Sequence, residues 1–195
     1  MKIAYIHGFQ SSSKAKKATI LNTVISKDFK DISFIAPDFP DNFQKALSSL
    51  EDFVEKSLKE DELCLVGSSL GGFLSILLSM KYNLKVALVN PCLYASKFCL
   101  DNKIIGVELE NFDTHNKFVV TQDDIEFIKT KEATLKDFDQ SKAIVFLQTG
   151  DEVLDYTYSQ NFFKGCEVLV REGGCHGYDG FEKEVPTIID FFKKA

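Results

Sequence analysis

Gly67-Ser68-Ser69-Leu70-Gly71 is a G-x-S-x-G pentapeptide, the spacing of a nucleophilic serine held on a tight turn. The pattern alone is weak, since roughly one chain in twenty of this composition matches by chance. Its setting raises it. The apolar run Leu63-Cys64-Leu65-Val66 leads directly into it, and an apolar helical stretch over residues 70–80 follows. A nucleophile elbow needs that strand–turn–helix order, because the turn must lift the hydroxyl clear of the sheet while small neighbours let the two backbones close up. The helix N-terminus adds positive potential where an oxyanion would form. The bland alternative is a tight turn with Ser69 as an ordinary helix cap. A phosphate-cradling loop is disfavoured, since neither the lysine of a P-loop nor the glycine spacing of a dinucleotide fingerprint is present.

A serine hydroxyl needs a base, and the base needs an acid to fix its tautomer. Of the three histidines, His115 lies amid a long charged stretch with no strand end nearby. His7 closes the first strand, where the base does not belong, and reads as structural. His176 follows the last strand in Gly173-Gly174-Cys175-His176-Gly177, late in the chain, as the order Ser…Asp…His requires. The acid is sought after the preceding strand. Asp151 falls in the turn just past it and is the candidate. Asp155, four residues on, is the alternative and could instead cap the next helix. The backbone N–H groups of Phe9, after the first strand, and Leu70, after the serine, are the candidate oxyanion donors.

These groups require a scaffold that gathers loops at one end of a sheet. Apolar runs at residues 2–7, 32–36, 63–66, 86–89, 143–147 and 166–170 predict six strands. Amphipathic or apolar helices are predicted over 14–27 (capped by Ser12 or Ser13), 42–59, 70–80 and 181–193, with Pro186 near the last helix's first turn. Continuous apolar strands imply a sheet covered on both faces, and strand–helix alternation implies a parallel α/β sheet. Catalytic groups then lie beyond the strands' C-terminal ends. The exception is 91–141, which is long, charged and weakly periodic yet carries Phe98, Phe112, Phe118, Phe127 and Phe138. It is expected to be a folded insertion over the sheet's edge, serving as a lid or a dimer contact, within a single domain spanning 1–195.

The chain's 195 residues could bury about 70% of their extended surface, leaving roughly 9,300 Å² exposed. Lys+Arg 23 against Asp+Glu 29 gives a net charge of −6 without a basic run, which argues against nucleic acid. No apolar stretch approaches the ~20 residues of a membrane span, and the N-terminal run is too short for a signal segment. Cys64, Cys92, Cys99, Cys166 and Cys175 form no CxxC pair, so neither a zinc ribbon nor a dithiol motif is expected. Free thiols in a reducing, cytoplasmic setting are the expectation. The chemistry needs neither metal nor organic cofactor, and the pattern specifies no oligomeric state.

Several segments together carry a family resemblance. They are Tyr5-Ile6-His7-Gly8-Phe9 with Ser11-Ser12, Leu65-Val66-Gly67-Ser68-Ser69-Leu70-Gly71-Gly72, Asn90-Pro91, Leu147-Gln148-Thr149-Gly150-Asp151-Glu152-Val153-Leu154-Asp155-Tyr156, and Gly173-Gly174-Cys175-His176 with Gly180-Phe181-Glu182. In this order the sequence resembles the YqiA-type small bacterial esterases of the α/β-hydrolase superfamily. The resemblance implies a compact α/β-hydrolase lacking the usual N-terminal hairpin. It also implies esterase activity from Ser69, His176 and an aspartate in the 151–155 segment. Cys175 departs from it, a polar residue such as asparagine being expected there, and the 91–141 stretch matches it poorly. The expected substrate is a small-molecule acyl ester. The alternatives are an acyl thioester, with Lys14, Lys16 and Lys17 meeting an anionic group, and a non-catalytic binding protein on the same fold.

Overall fold

The computed structural model describes residues 1–194; Ala195 lies outside the described residues. Six strands form one parallel sheet: β1 (Lys2–Ile6), β2 (Ser33–Ile35), β3 (Leu63–Ser68), β4 (Val86–Val89), β7 (Ala143–Gln148) and β8 (Glu167–Arg171). Their order across the sheet is β2-β1-β3-β4-β7-β8, with every neighbouring pair parallel. The chain reverses its direction of travel across the sheet beside β1 and β3, and that is where ligand crevices form.

The strands send alternate residues to opposite faces, and both faces are apolar. On one side Ile3, Tyr5, Cys64, Val66, Ala87, Val89, Ile144 and Phe146 pack under α1 (Lys16–Asp28) and α7 (Val185–Lys193). On the other, Ala4, Ile6, Leu63, Leu65, Val86, Leu88, Val145 and Leu147 pack under α2 (Phe43–Leu58) and α3 (Leu70–Tyr82). This two-sided cover is why the strands read as unbroken apolar runs. The exposed surface, 9385 Å², agrees with the value expected from chain length.

Two expectations are corrected locally. No serine caps α1: the helix starts behind Ala15 without a side-chain cap. Ser12 Oγ instead accepts the Lys14 N–H at 3.1 Å, and Ser13 bonds Asp38 through both its N–H (2.7 Å) and its hydroxyl (3.0 Å). The C-terminal helix is also shorter than expected. Residues Phe181–Lys183 form a separate 3-10 turn, and Pro186 sits in the first turn of α7, where its missing N–H costs no helical bond.

The 91–141 stretch is folded. It contains α4 (Ala95–Asp101), an antiparallel hairpin of β5 (Glu108–Glu110) and β6 (Lys117–Val119), and α5 (Gln122–Glu132). A capping box at Thr121 and Asp124 starts α5. The stretch packs on the α2–α3 side of the sheet. Its Val120, Ile125, Ile128, Leu135 and Phe138 share a core with α2 and α3, which draws it across that face and over the C-terminal ends of the strands.

The approach of α3 to the sheet is the tightest feature of this scaffold. A Cβ on Gly71 would lie 2.0 Å from the Ile6 carbonyl oxygen and 2.4 Å from that of His7. Those are backbone atoms and have little room to move. Gly71→Ala is therefore expected to cost about 3 kcal/mol or more of stability. Denaturant titration of purified protein checks this, and a midpoint equal to wild type would contradict it.

Candidate active site

The turn from β3 into α3 places Ser69 at φ 55°, ψ −123°, a conformation an L-residue holds only under constraint. Its N–H continues the sheet ladder to the Val89 carbonyl (3.1 Å). Its own carbonyl accepts from Gly72 (2.9 Å), Phe73 (3.3 Å) and Cys92 (3.0 Å). The side chain makes no capping bond, so the helix-cap reading of this serine does not hold. Gly8 lies against it: a Cβ there would stand 3.3 Å from Ser69 Cβ and 3.8 Å from Oγ. The loop carrying Phe9 therefore abuts the hydroxyl, and Leu70 opens α3, where its N–H has no intrahelical acceptor.

His176 lies in the loop after β8, and its Nδ1 faces Asp151, 2.8 Å from Oδ2 and 3.0 Å from Oδ1. A ring nitrogen facing a carboxylate carries the proton, which leaves Nε2 as the acceptor. The Asp151 side chain is 2% exposed and that of His176 21%. Asp151 Oδ1 also accepts the N–H groups of Val153 (2.9 Å) and Leu154 (2.8 Å), so the turn fixes the carboxylate before it meets the ring. Asp155 is not brought to His176. It caps α6 (Tyr156–Phe162), accepting the Thr157 N–H at 2.9 Å and hydroxyl at 2.7 Å, and those bonds lower its pKa. Ser69, Leu70, Phe9 and His176 line one cavity of about 520 Å³, with Phe43, Phe98, Val153 and Leu154 among its apolar walls.

The residues that hold the His176 loop carried no assigned role in the sequence reading. Buried Gln148 accepts the Cys175 (3.0 Å) and Asp179 (2.9 Å) N–H groups and donates to the Asp179 carbonyl (2.8 Å). Buried Asn90 donates to the carbonyls of Cys175 and His176, each at 3.2 Å. Glu152 accepts the His176 N–H at 2.9 Å. A polar amide closing an apolar strand, as Gln148 closes Ala143-Ile144-Val145-Phe146-Leu147, was the available signal: such a group is buried only when it is hydrogen-bonded.

Lys14, Lys16 and Lys17 line the cavity, and Lys17 Nζ donates to the Gly177 carbonyl at 3.0 Å. Burial pulls the Lys17 ammonium down to about 8. Cys175 is half-buried at the cavity wall, and among the described residues all five cysteines are free thiols. His115 lies closer to strand ends than expected, in the turn between β5 and β6, exposed and 2.7 Å from Glu110, and it does not line the cavity. Among the described residues no helix is long and apolar enough to cross a membrane.

This architecture is the α/β-hydrolase fold. Est1E from Butyrivibrio proteoclasticus, in a structure with ferulic acid bound, superposes with a TM-score of 0.73 at 18% identity, over 97% of this chain and 87% of that one. A structure of the metagenome-derived lipolytic enzymes LipS and LipT superposes with a TM-score of 0.70 at 14% identity, over 100% and 94%. The esterase Pf2001 from Pyrococcus furiosus gives 0.68 at 16%, over 98% and 80%. The chain itself belongs to the family described as Uncharacterised protein family (UPF0227), the YqiA family, whose model matches residues 2–193. That match runs through 91–141, which the short motifs had left outside the resemblance.

His7 is buried, stacked on Phe39 with ring centroids 3.8 Å apart. Its Nδ1 donates to the Gly8 carbonyl at 3.0 Å, and Nε2 has no partner. Burial lowers its pKa. The folded protein thus keeps His7 neutral where an unfolded histidine, of pKa about 6.5, takes up a proton. Its contribution to stability is present above that value and is lost as pH falls through it toward the depressed folded value. The stability gap between wild type and His7→Gln is expected to narrow between about pH 7.5 and about pH 5. Denaturant titrations at both pH values measure it, and a gap that widens toward acid would contradict the neutral assignment.

Proposed function

We propose that the protein is a serine hydrolase cleaving carboxylic esters of small molecules, with Ser69 as nucleophile, His176 as base and Asp151 as the acid orienting it. The observation that carries this reading is the His176–Asp151 pair, set on the same cavity as a serine at a left-handed elbow. The membership of the fold and the esterases among its structural relatives support it.

In this reaction Ser69 Oγ attacks the ester carbonyl carbon and its proton passes to His176 Nε2. The carbonyl π pair moves onto oxygen, and the N–H groups of Phe9 and Leu70 stabilise that oxyanion. The intermediate collapses by breaking the bond to the alcohol oxygen, which takes the proton from His176. Water then attacks the acyl-Ser69 ester with His176 again as base, releasing the acid and restoring the hydroxyl. Asp151 accepts from Nδ1–H throughout, holding the productive tautomer and stabilising the imidazolium. The apolar walls suit the acyl group, and α4 with Phe112 covers the cavity as a lid.

A thioester substrate uses the same steps, and Lys14, Lys16 and Lys17 on the cavity wall favour one carrying negative charge. Neutralising Lys14 and Lys16, and leaving Lys17 on the Gly177 carbonyl of the His176 loop, is expected to lower kcat/KM for anionic thioesters in steady-state assays while sparing neutral esters.

For the ester reaction, Ser69→Ala is expected to lower kcat by about four orders of magnitude or more, and Asp151→Asn by about 10⁴. Asp155→Asn is expected to leave turnover within a few-fold. Steady-state kinetics on short-chain nitrophenyl esters separates these, and equal losses from the two aspartate variants would overturn the assignment of Asp151.

A further inference from the structure

The loop after β1 is not held by its own strand. Gln10, the residue after Phe9, sits at φ 54°, a left-handed conformation that a non-glycine residue rarely adopts. Both of its anchors come from the β5–β6 hairpin a hundred residues away. Its side-chain amide donates to the Glu110 carbonyl at 2.8 Å, and its carbonyl accepts the Phe112 N–H at 3.0 Å.

Asn111 completes the attachment. It is buried, and its amide donates to the Ser11 carbonyl (3.0 Å) and to Asp41 (2.7 Å). Its side-chain oxygen accepts the N–H groups of Asp113 and Thr114, each at 3.0 Å, which shapes the hairpin tip. Asp113 in turn accepts the hydroxyls of Ser11 (3.3 Å) and Ser12 (2.9 Å). The ring of Phe9 packs edge-on to Phe118 of β6 (5.5 Å) and Phe98 of α4 (6.4 Å) in the same stretch of chain, and stacks on Phe43 of α2 (6.0 Å).

We propose that this hairpin is a fixed brace for the oxyanion loop, with Asn111 and Gln10 as positioning residues that aim the Phe9 N–H at the reacting carbonyl oxygen. The proposal rests on the Ser69 hydrolase reading. A loop bent through an unfavourable φ next to the donor relaxes once its distant anchors are cut. A donor about 1 Å out of place can cost on the order of 10²-fold in rate while leaving ground-state binding intact. The hairpin portion of 91–141, with the Phe112 backbone, then stays in place during turnover, and any opening is confined to α4 and the exposed side chain of Phe112.

The test uses the full chain and three variants: Asn111→Ala, Gln10→Ala and, as a control within the hairpin, Lys117→Ala, which removes only an exposed ion pair with Glu108. Rates are taken per titrated active site, so a smaller folded fraction does not count. A trifluoromethyl ketone that adds to Ser69 as a tetrahedral hemiketal serves as oxyanion probe. Asn111→Ala and Gln10→Ala are expected to lower kcat about 10- to 100-fold with KM within about twofold, and to raise the ketone's Ki by a matching factor. Lys117→Ala is expected to match wild type. If Asn111→Ala does not fold, Gln10→Ala decides alone, since it removes one side-chain bond at a half-buried position. An active wild type with kcat and Ki unchanged in the variants overturns the brace only. A well-folded wild type that neither turns over nor binds the ketone overturns the hydrolase reading, and the brace falls with it.

Discussion

Ser69 can hold φ 55° only because α3 is pressed against the sheet more closely than side chains would allow. A residue in such a conformation costs of order 1–3 kcal/mol, and the surroundings must supply that. Here the ladder bond to Val89 fixes the entry, and the Ser69 carbonyl, accepting from Gly72 and Cys92, fixes the exit. Gly67 and Gly71 leave no gap into which the turn could relax: a Cβ on Gly67 would fall 2.3 Å from Ser75 Oγ and 2.4 Å from the Gly71 carbonyl oxygen. The two apolar faces of the sheet hold the strand and the helix at this distance, so core packing and the placement of one hydroxyl are a single constraint.

His176 is held by different physics. Its loop is glycine-rich, and although Tyr178 anchors the far side in the core against Phe146 and Phe181, the turn at Cys175 and His176 depends on polar groups presented by neighbouring strand ends. Asn90 after β4 and Gln148 at the end of β7 point amides inward at depths where an unsatisfied group would be costly, and the loop backbone satisfies them. Arg171 and Tyr178 converge on buried Glu184 beyond it (2.8 and 3.2 Å), tying the loop to the start of α7. Asp151 is then aimed by two backbone N–H groups of its own turn, so the histidine's orientation does not rest on the aspartate contact alone.

The sequence made legible those features whose signals are local. The strands and α3 read as continuous apolar runs, α2 and α7 carry helical apolar periodicity, and the serine turn carries its own glycines. Asp151 and Asp155 were both compatible with the pattern, because each follows a strand and precedes a helix; only the fold shows one facing His176 and the other capping α6. Ser12 and Ser13 looked like helix caps, but Asp113 and Asp38 claim them through partners 101 and 25 residues distant. The 91–141 stretch was the least legible. Its hairpin strands are three residues each and mostly exposed, so they show no periodicity, and what they do is expressed in contacts with residues 10–12.

On the proposed function, a strained serine, a distant histidine and a buried aspartate form one activated nucleophile. Intact-mass analysis after treatment with a fluorophosphonate, on wild type and on Ser69→Ala, addresses it most directly. A single adduct on the wild-type protein and none on the variant is the expected result. A folded wild type that takes no adduct, or a variant labelled to the same extent, would contradict it.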